Sequence, residues 1–519
     1  MNKALLPLIF LFTFSTSFAQ SPNQVKISTR EAGMDLRTNT PISAKEYVFD
    51  LPVFGFYPTA RNNSMTVQLR NKNPETNVWK GSGEVMVIDP ETGQSKWQRK
   101  FKYGGNYLMQ IDDVIFEQSR KKLQKLHSET GKPVWWREST VFKAFPELNL
   151  ALCYNLEPTE SDVLHGINLQ NGQSLWRRTF ASEYGWENTN WLNDSTLMIV
   201  ASGLHTLNPA TGQGWDMNRV SHSKKTDMGK VGMLVLGGVA LGAMGSMLVP
   251  SGTLSDIFLN ISSNVLMEEQ VLYYAAKNKI SCQTLAGERL WDTDLNEKIT
   301  SKSHIFRKGN TIYMINTGYA MKYGRPAALG KPYVAAFDAF NGKQLFHKEW
   351  FERKNYISDF LIQEDQMYLL YKDKVDIYRF SDEGLTQRFA SRVDEDFKMR
   401  SFVSDQVFMK KDSAFVRLSY DQDHFHVFTE KNELIRFDND FQTSEKVDIT
   451  TLYKSYIENE AYLFLGNTDE TIVLNRTDSK PVAKYNAPVN SANFGSKLYY
   501  YGENKISELD ISAFVIQKE

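Results

Sequence analysis

Two histidines and two aspartates in DQDHFH, residues 421–426, form a compact group of possible metal ligands. His424 and His426 are two positions apart, so they would lie on the same side of a β-strand, directly after Asp421 and Asp423. Two imidazoles could bind Zn²⁺ if a third ligand came from elsewhere in the fold. The end of a polar hairpin accounts for the same residues more simply, so the sequence predicts no metal site.

Other signals of chemistry are sparse. The chain has two cysteines, Cys153 and Cys282, which could form one disulfide or remain as two thiols. It contains no G-x-S-x-G nucleophile motif and no phosphate-binding glycine loop. The sequence therefore contains no residue that we assign a catalytic role.

A repeated segment supplies the main signal about the fold. It recurs as MVIDPETGQSKW (86–97), QKLHSETGKPVW (124–135), HGINLQNGQSLW (165–176), HTLNPATGQGW (205–215), ISCQTLAGERLW (280–291) and AAFDAFNGKQLF (335–346). Its glycines are separated by 38, 41, 40, 75 and 55 residues. A period of about 40 residues with strand-like flanks is typical of a β-propeller blade.

Each position of the repeat has a physical role. The glycine provides the positive φ that a tight hairpin turn requires, and the aromatic residue that follows is spaced to pack between neighbouring sheets. The predicted turn glycines are Gly93, Gly131, Gly172, Gly212, Gly287 and Gly342. The predicted blade-packing aromatics are Trp97, Trp135, Trp176, Trp215, Trp291 and Phe346.

This pattern resembles the repeat of the PQQ-binding-like, or quinoprotein-type, β-propellers, with the consensus Tyr-Ala-Leu-Asp-x-x-Thr-Gly-Lys-x-x-Trp, and is broadly similar to the outer-membrane assembly factor BamB. The resemblance is clear over about residues 80–350 and weaker beyond, where degenerate units occur at 377–389, 433–447, 471–485 and 505–517. The expected fold is all-β: a single β-propeller over 20–519 with about eight four-stranded blades, seven to ten being possible.

The repeat register also bears on the cysteines and histidines. Cys282 aligns with Ile88, a core position, and Cys153 lies in an apolar strand, so we expect two buried free thiols. His165 and His205 occupy equivalent places in consecutive units, where the family usually has tyrosine. They are expected to replace a hydrogen-bonding ring.

The resemblance implies a test for enzymatic function. Quinoprotein alcohol dehydrogenases of this fold hold their quinone between a tryptophan and a disulfide of adjacent cysteines, with Ca²⁺ and a catalytic aspartate. This sequence has no Cys-Cys pair and no Cys-x-x-Cys-His segment. We therefore expect a non-catalytic protein without a cofactor. A quinone-dependent or other propeller-face enzyme, and a small-ligand or glycan sensor, are the alternatives.

The N-terminus predicts export. Residues 1–19 contain Lys3, a short apolar run and Ser17-Phe18-Ala19, which is typical of a signal peptide cleaved after Ala19. No cysteine lies at that junction, so a lipid anchor is not expected. The formal net charge of −1 gives no indication of a nucleic-acid partner. A periplasmic or envelope-associated protein is expected.

An apolar, glycine-rich insertion, predicted at 216–256, interrupts the repeats where the glycine interval is 75 residues. Its core, 231–249, contains five glycines and is weakly hydrophobic for its length. Gly238, Gly242 and Gly245 would share one helical face, the pattern that permits close approach of another backbone. Burial within the fold, docking on a membrane or partner, and a transmembrane span are the three interpretations.

The expected function is a protein-binding scaffold in the cell envelope, with an envelope protein as partner. A peripheral membrane contact through 231–249 is possible. Rigid repeat folds expose loops and sheet edges on which partners can dock.

Overall fold

The computed structural model describes residues 24–514 with internal gaps, of which 219–257 and 393–418 are the longest. The predicted signal peptide, the core 231–249 and its three face glycines lie outside the described residues. The regular elements described are β-strands, except for 3₁₀ turns at Pro146–Leu148 and Ser512–Phe514. This composition agrees with the predicted all-β class.

The first four blades are antiparallel sheets of four strands in chain order. Blade 1 contains Val53–Thr59 (β3), Ser64–Lys72 (β4), Trp79–Ile88 (β5) and Ser95–Lys102 (β6); blade 2 contains Asn106–Ile111 (β7), Val114–Ser119 (β8), Lys122–Leu126 (β9) and Pro133–Glu138 (β10). Blade 3 contains Thr140–Phe145 (β11), Leu150–Tyr154 (β12), Val163–Asn168 (β13) and Ser174–Thr179 (β14); blade 4 contains Asn188–Asn193 (β15), Thr196–Val200 (β16), Gly203–Leu207 (β17) and Asp216–Asn218 (β18).

The next four sheets continue the series, with one additional small sheet. Blade 5 contains Leu266–Glu268 (β20), Val271–Ala275 (β21), Lys279–Thr284 (β22) and Arg289–Asp294 (β23); blade 6 contains Ser303–Lys308 (β24), Thr311–Asn316 (β25), Tyr333–Asp338 (β28) and Gln344–Glu349 (β29). Blade 7 contains Asp359–Gln363 (β30), Gln366–Leu370 (β31), Lys374–Ser381 (β32) and Gly384–Arg392 (β33); blade 8 contains Ser419–Tyr420 (β34), His424–Phe428 (β35), Leu434–Asp438 (β36) and Ser444–Val447 (β37). The small sheet contains Phe258–Leu259 (β19), Tyr319–Lys322 (β26) and Arg325–Ala328 (β27).

The last sheet joins the two ends of the chain. Blade 9 contains Ser455–Glu458 (β38), Tyr462–Gly466 (β39), Thr471–Asn475 (β40) and Pro481–Tyr485 (β41), and blade 10 contains Ala492–Phe494 (β42), Lys497–Gly502 (β43), Lys505–Asp510 (β44) and the N-terminal Thr40–Val48 (β2). Lys26–Asp35 (β1) pairs with both β2 and β41, which makes one sheet of nine strands. The described residues thus form ten blade units, the upper end of the predicted range.

The insertion starts later than predicted. Asp216–Asn218 pairs with β17 as the outer strand of blade 4, so these three residues belong to the propeller. Trp215 follows its glycine one residue early, and the strand begins directly after it.

Apolar side chains are shared between successive blades, and these contacts close the ring. Buried clusters join blades 1 to 7 in sequence and blades 8 to 10 in sequence. Blades 7 and 8 meet through Tyr368 and Phe425, whose ring centroids are 4.7 Å apart. Tyr499 and Ile506 of blade 10 share a cluster with Val53 and Phe56 of blade 1. Each hydrophobic core of the described propeller is therefore an interface between blades.

The outer contact between blades is made by tryptophan. Each indole packs on the turn glycine of the next blade: a Cβ atom built on Gly131 would lie 2.6 Å from the ring of Trp97, a distance that excludes any other residue. The turn glycines have φ between 63° and 90°. Indole Nε1 atoms donate to turn carbonyls at 2.6–3.0 Å, from Trp97 to Ser128, Trp135 to Leu169, Trp176 to Pro209, Trp215 to Leu285 and Trp291 to Ala339.

Phe346, the sixth predicted aromatic, has no N–H group to donate. Its ring lies 6.1 Å from that of Tyr313 in its own blade and borders the cluster that blades 6 and 7 share. The tryptophan contacts therefore extend from blade 1 to blade 6.

A β-bulge before the aromatic position persists in two of the degenerate tail units, blades 7 and 9. In blade 1 the register shifts between Val87 and Ile88, opposite Trp97. The same shift occurs in the tail opposite Phe389 and Ala483. A bulge bends the strand and increases its local twist, so blades 7 and 9 keep this feature of the repeat without a tryptophan.

Two side chains of the N-terminal strand replace the indole where the ring closes. The carbonyl of Pro90, which corresponds to the tryptophan-bound carbonyls, accepts from Lys45 Nζ at 2.5 Å and lies 3.0 Å from Tyr47 Oη. Tyr47 Oη is also 2.7 Å from Glu508 Oε2. Burial acts to raise the pKa of Glu508, but hydrogen bonds from Lys497 and Tyr47 hold it below its usual value.

Replacement of Trp135 tests the contact between blades 2 and 3. We expect Trp135→Ala to lower the free energy of unfolding by about 3–5 kcal/mol, because it removes a large buried ring and one of the two donors to the Leu169 carbonyl, the other being Lys125 Nζ. Trp136→Ala is the matched control, since the adjacent indole is 59% exposed; it should change stability by less than about 0.5 kcal/mol. Equal melting temperatures for both variants would contradict the packing role.

The pKa of Glu508 predicts how the ring closure responds to acid. A carboxyl with a lowered folded-state pKa stabilises the fold at neutral pH and loses that contribution as the pH falls through the folded value. We expect Glu508→Gln to be less stable than the wild type by about 1–2 kcal/mol at pH 7. The difference should shrink below about pH 4.5. Denaturant unfolding across pH measures it, and a pH-independent difference would contradict the electrostatic explanation.

Candidate functional site

Of the two histidines considered as metal ligands, His426 contacts the next blade, whereas Asp421 and Asp423 lie outside the described residues. His426 is buried, and its Nε2 atom lies 2.8 Å from Ser479 Oγ in the glycine position of the blade 9 turn. In the described part of the chain, no group of three His, Cys, Asp or Glu side chains is placed to hold a metal ion. The structure thus connects His426 to the next blade.

His165 and His205 occupy the same position in blades 3 and 4. His205 Nδ1 lies 2.8 Å from Asp216 Oδ1, and Arg178 Nη2 lies 2.6 Å from the same carboxylate. Burial acts to raise the pKa of Asp216, but the bonds from His205 and Arg178 outweigh it and the pKa is lowered. His165 lies directly opposite Cys153 across the sheet. Both histidines border a contact between blades.

The cysteines lie apart, in blades 3 and 5, and both are free and buried. Burial raises the pKa of Cys153 to about 12 and that of Cys282 to about 11. Cys282 pairs with Trp291, so it corresponds to Val87 and not to Ile88 as the repeat alignment suggested. The turn of blade 5 is one residue shorter, because Gly287 N donates to Thr284 O, three residues back.

The two faces of the propeller differ in the length of their connections. In a four-stranded meander, the turns between strands 1 and 2 and between strands 3 and 4 lie on one face, the turn face. The connections between strands 2 and 3 and between blades lie on the opposite face, the connection face. Turn-face links are short, and the long gaps 219–257 and 393–418 both start and end on the connection face. This face is the candidate functional surface.

A three-stranded sheet rises from the connection face beside the insertion. The described chain leaves blade 4 at Asn218 and resumes at β19, where Phe258 pairs with Lys322 of the blade 6 hairpin. The hairpin, β26 and β27, lies between strands 2 and 3 of blade 6. Both ends of the insertion are therefore on the same side of the propeller.

Asn316 fixes the base of this hairpin. Its Oδ1 atom accepts from Ser301 N at 2.7 Å and from Ser301 Oγ at 3.1 Å, and its Nδ2 group donates to Ile299 O at 3.0 Å and Lys331 O at 2.6 Å. The amide is fully buried and its hydrogen-bonding groups are used on both sides. Such a network holds the two ends of the hairpin rigidly to the connection between blades 5 and 6.

Aromatic and cationic groups line the foot of the hairpin. The rings of Tyr319 and Tyr356 are 5.3 Å apart, and Lys302 Nζ lies 5.8 Å from the Tyr319 ring centroid. Burial raises the pKa of the nearby Tyr333 to about 12, and its hydroxyl is 2.9 Å from Thr300 Oγ1. The surface offers a rigid support for binding, and its described groups suggest no catalytic assembly.

Sequence reasoning missed both the hairpin and the closing residues Lys45 and Tyr47. The 55-residue interval between Gly287 and Gly342 was the available signal for the hairpin, since it exceeds the period by about one hairpin. The N-terminal strands have no repeat motif, so no comparable signal existed for Lys45 and Tyr47. Among the described residues, no helix has both the length and the apolar character to cross a membrane.

Comparison with known families supports the repeat assignment. Residues 81–236 match the family described as "Outer membrane protein assembly factor BamB". The predicted PQQ-binding-like β-propeller repeat, broadly similar to BamB, is thereby confirmed over these residues. A search of curated proteins found no match.

Several solved structures resemble the chain at low identity. BamB from Moraxella catarrhalis is 10% identical, with 78% of this chain and 96% of that chain covered at a TM-score of 0.31. Sqt1 from Saccharomyces cerevisiae is 12% identical, with 72% and 96% covered at 0.36. AztD from Citrobacter koseri is 11% identical, with 78% and 92% covered at 0.31.

Thiol titration tests the placement of the two cysteines. Under unfolding, non-reducing conditions we expect both Cys153 and Cys282 to react, because they lie in different blades. In the native protein the reaction should be slow at pH 8, since burial shields the thiols and raises their pKa values. Finding no thiol after unfolding would show that the two residues are bridged.

Proposed function

We propose that this chain is an exported, non-catalytic β-propeller that serves as a protein-binding scaffold in the cell envelope. The observation that carries the proposal is the concentration of long connections on one face of a rigid ring, beside a hairpin held by Asn316. Binding residues are often placed on loops that a rigid framework positions. The similarity to an outer membrane protein assembly factor and the predicted signal peptide, 1–19, support the envelope location.

The glycine-rich segment 231–249 is proposed to dock on a hydrophobic partner or on the membrane surface. Both described ends of the gap, Asn218 and Phe258, lie on the connection face, so the chain returns to the side it left. A single membrane pass would leave the later blades on the other side of the bilayer. Gly238, Gly242 and Gly245 would present the close-contact face toward the partner.

Replacement of 231–249 by a short Gly/Ser linker tests this proposal. We expect a folded protein with an unchanged melting temperature that leaves the membrane fraction or loses its partner in crosslinking pull-downs from the native cell. The control is the same linker in place of residues 399–413, in the other long connection. That replacement should leave both the membrane fraction and the crosslinked partner unchanged. Unfolding caused by the 231–249 replacement would assign the segment to the core and end the docking proposal.

A triple substitution distinguishes the two docking modes. Leucine at 238, 242 and 245 blocks close backbone approach but makes the segment more apolar. Loss of the crosslinked partner with retained membrane binding would identify a protein contact. If the variant keeps both the crosslinked partner and membrane binding, the glycine face has no role.

A stoichiometric chromophore in the purified protein would favour a quinone enzyme over the scaffold.

A further inference from the structure

A cavity of about 280 Å³ lies between blades 2 and 3. It is lined by the end of β10 and the link to blade 3, Trp136 to Ser139, and by His165 and Ile167 of β13. The link between blades is on the connection face. The space is open to solvent on one side and its lining is largely polar. By size alone it admits one aromatic side chain, since a cavity of about 150 Å³ accepts benzene.

The neighbouring interface, between blades 3 and 4, shows what occupies this position elsewhere. There Phe180 is 1% exposed, and its ring centroid is 5.1 Å from that of His205, edge to face. The Arg178 guanidinium lies 4.8 Å from the Phe180 ring centroid. Histidine and arginine thus form two sides of a slot that an aromatic ring fills.

The two sides of the same slot are present between blades 2 and 3. His165 corresponds to His205 in the strand register. Arg137 and Arg178 each come two residues after the docked tryptophan, and both guanidinium groups donate to the turn glycine carbonyl of the next blade, Gly172 at 2.6 Å and Gly212 at 3.3 Å. The frame of the slot is therefore retained.

Ser139 replaces the ring. In the three other blades where this residue is described, the fourth residue after the docked tryptophan is apolar: Phe101, Phe180 or Leu295. All three side chains pack in hydrophobic cores between blades. Ser139 is held in place, because Gln118 Nε2 donates to its carbonyl at 3.0 Å and its hydroxyl donates to Tyr154 O at 3.2 Å. These two hydrogen bonds hold Ser139 in a position that leaves the space open.

We propose that this slot binds an aromatic side chain of a protein partner, which takes the place that Phe180 has between blades 3 and 4. The inference rests on the proposed scaffold function and assigns it a specific contact. Arg137 is fixed beside the slot by its hydrogen bond to Gly172 O, so its guanidinium can lie against a bound ring as that of Arg178 does against Phe180. Buried aromatic anchors surrounded by such contacts dominate many protein interfaces.

Ser139→Phe tests the slot, because it fills the space from within the chain. The probe is N-acetyl-L-phenylalaninamide, followed by saturation-transfer NMR, with N-acetyl-L-alaninamide as the negative control. We expect the full-length wild type to bind the phenylalanine probe with Kd on the order of 1 mM. Ser139→Phe should bind at least tenfold more weakly without a lower melting temperature. Ser174→Phe, on the exposed outer strand of blade 3, is the matched control and should bind as the wild type does.

Each other outcome overturns the proposal. The first is equal binding of both probes by the wild type, and the second is unchanged binding of the phenylalanine probe by Ser139→Phe. The third is binding of that probe only after residues 155–162 are replaced by a Gly/Ser linker, which would show that the chain fills its own slot. If Ser139→Phe does not fold, His165→Ala decides instead, because it removes one side of the slot: at least threefold weaker binding is expected, and unchanged binding would contradict the slot.

Pull-downs distinguish failure of this inference from failure of the scaffold. If the wild type and Ser139→Phe recover the same partner in equal yield, the slot is not the partner contact, but the scaffold stands. If the wild type recovers no partner while the probe binds, the scaffold fails and the proposed protein ligand with it. Loss of the partner in Ser139→Phe alone is the expected result.

Discussion

The contact between a tryptophan and the turn glycine of the next blade determines how the rest of this propeller is arranged. The indole depends on the glycine for two reasons. The positive φ of the glycine forms the turn, and its missing Cβ atom leaves room for the ring. Its N–H group then binds a carbonyl of the same turn, as between Trp135 and Leu169. One residue pair therefore fixes the distance and the angle between sheets. Repeated over five interfaces, it makes each blade dependent on the next one for its core.

A ring built from such contacts has to close, and here the two ends of the chain close it. Strand β2 completes blade 10, and Lys45 and Tyr47 reach the blade 1 carbonyl that an indole would otherwise bind. The closure is more polar than the other interfaces because Tyr47 also contacts the ionised Glu508. The closing interface thus adds hydrogen bonds from and to charged groups to the hydrophobic cluster that blades 10 and 1 share.

The candidate functional features of this propeller are departures from the repeat. The tight turns of one face are constrained by the tryptophan contacts, so long additions such as the blade 6 hairpin and the insertion after Asn218 accumulate on the other face. Asn316 makes the hairpin base rigid through four hydrogen bonds. A smaller departure, Ser139 in place of an apolar residue, leaves a slot within the otherwise packed ring. Both features lie on the connection face.

The sequence alone determined the repeat unit, because glycine turns and docked aromatics are local requirements with a fixed spacing, and it correctly indicated an all-β propeller. It misplaced Cys282 by one position, since a turn shortened by one residue looks the same as a full turn when only the glycine is aligned. Ten blades, the closure by Lys45 and Tyr47, and the pairing of β19 with the blade 6 hairpin depend on contacts between residues far apart in the chain. Those contacts have no sequence period, so only the tertiary structure could decide them. Recognition of the slot at Ser139 required both the sequence and the tertiary structure. The repeat identifies the missing ring, and the structure shows that no side chain in the described packing replaces it.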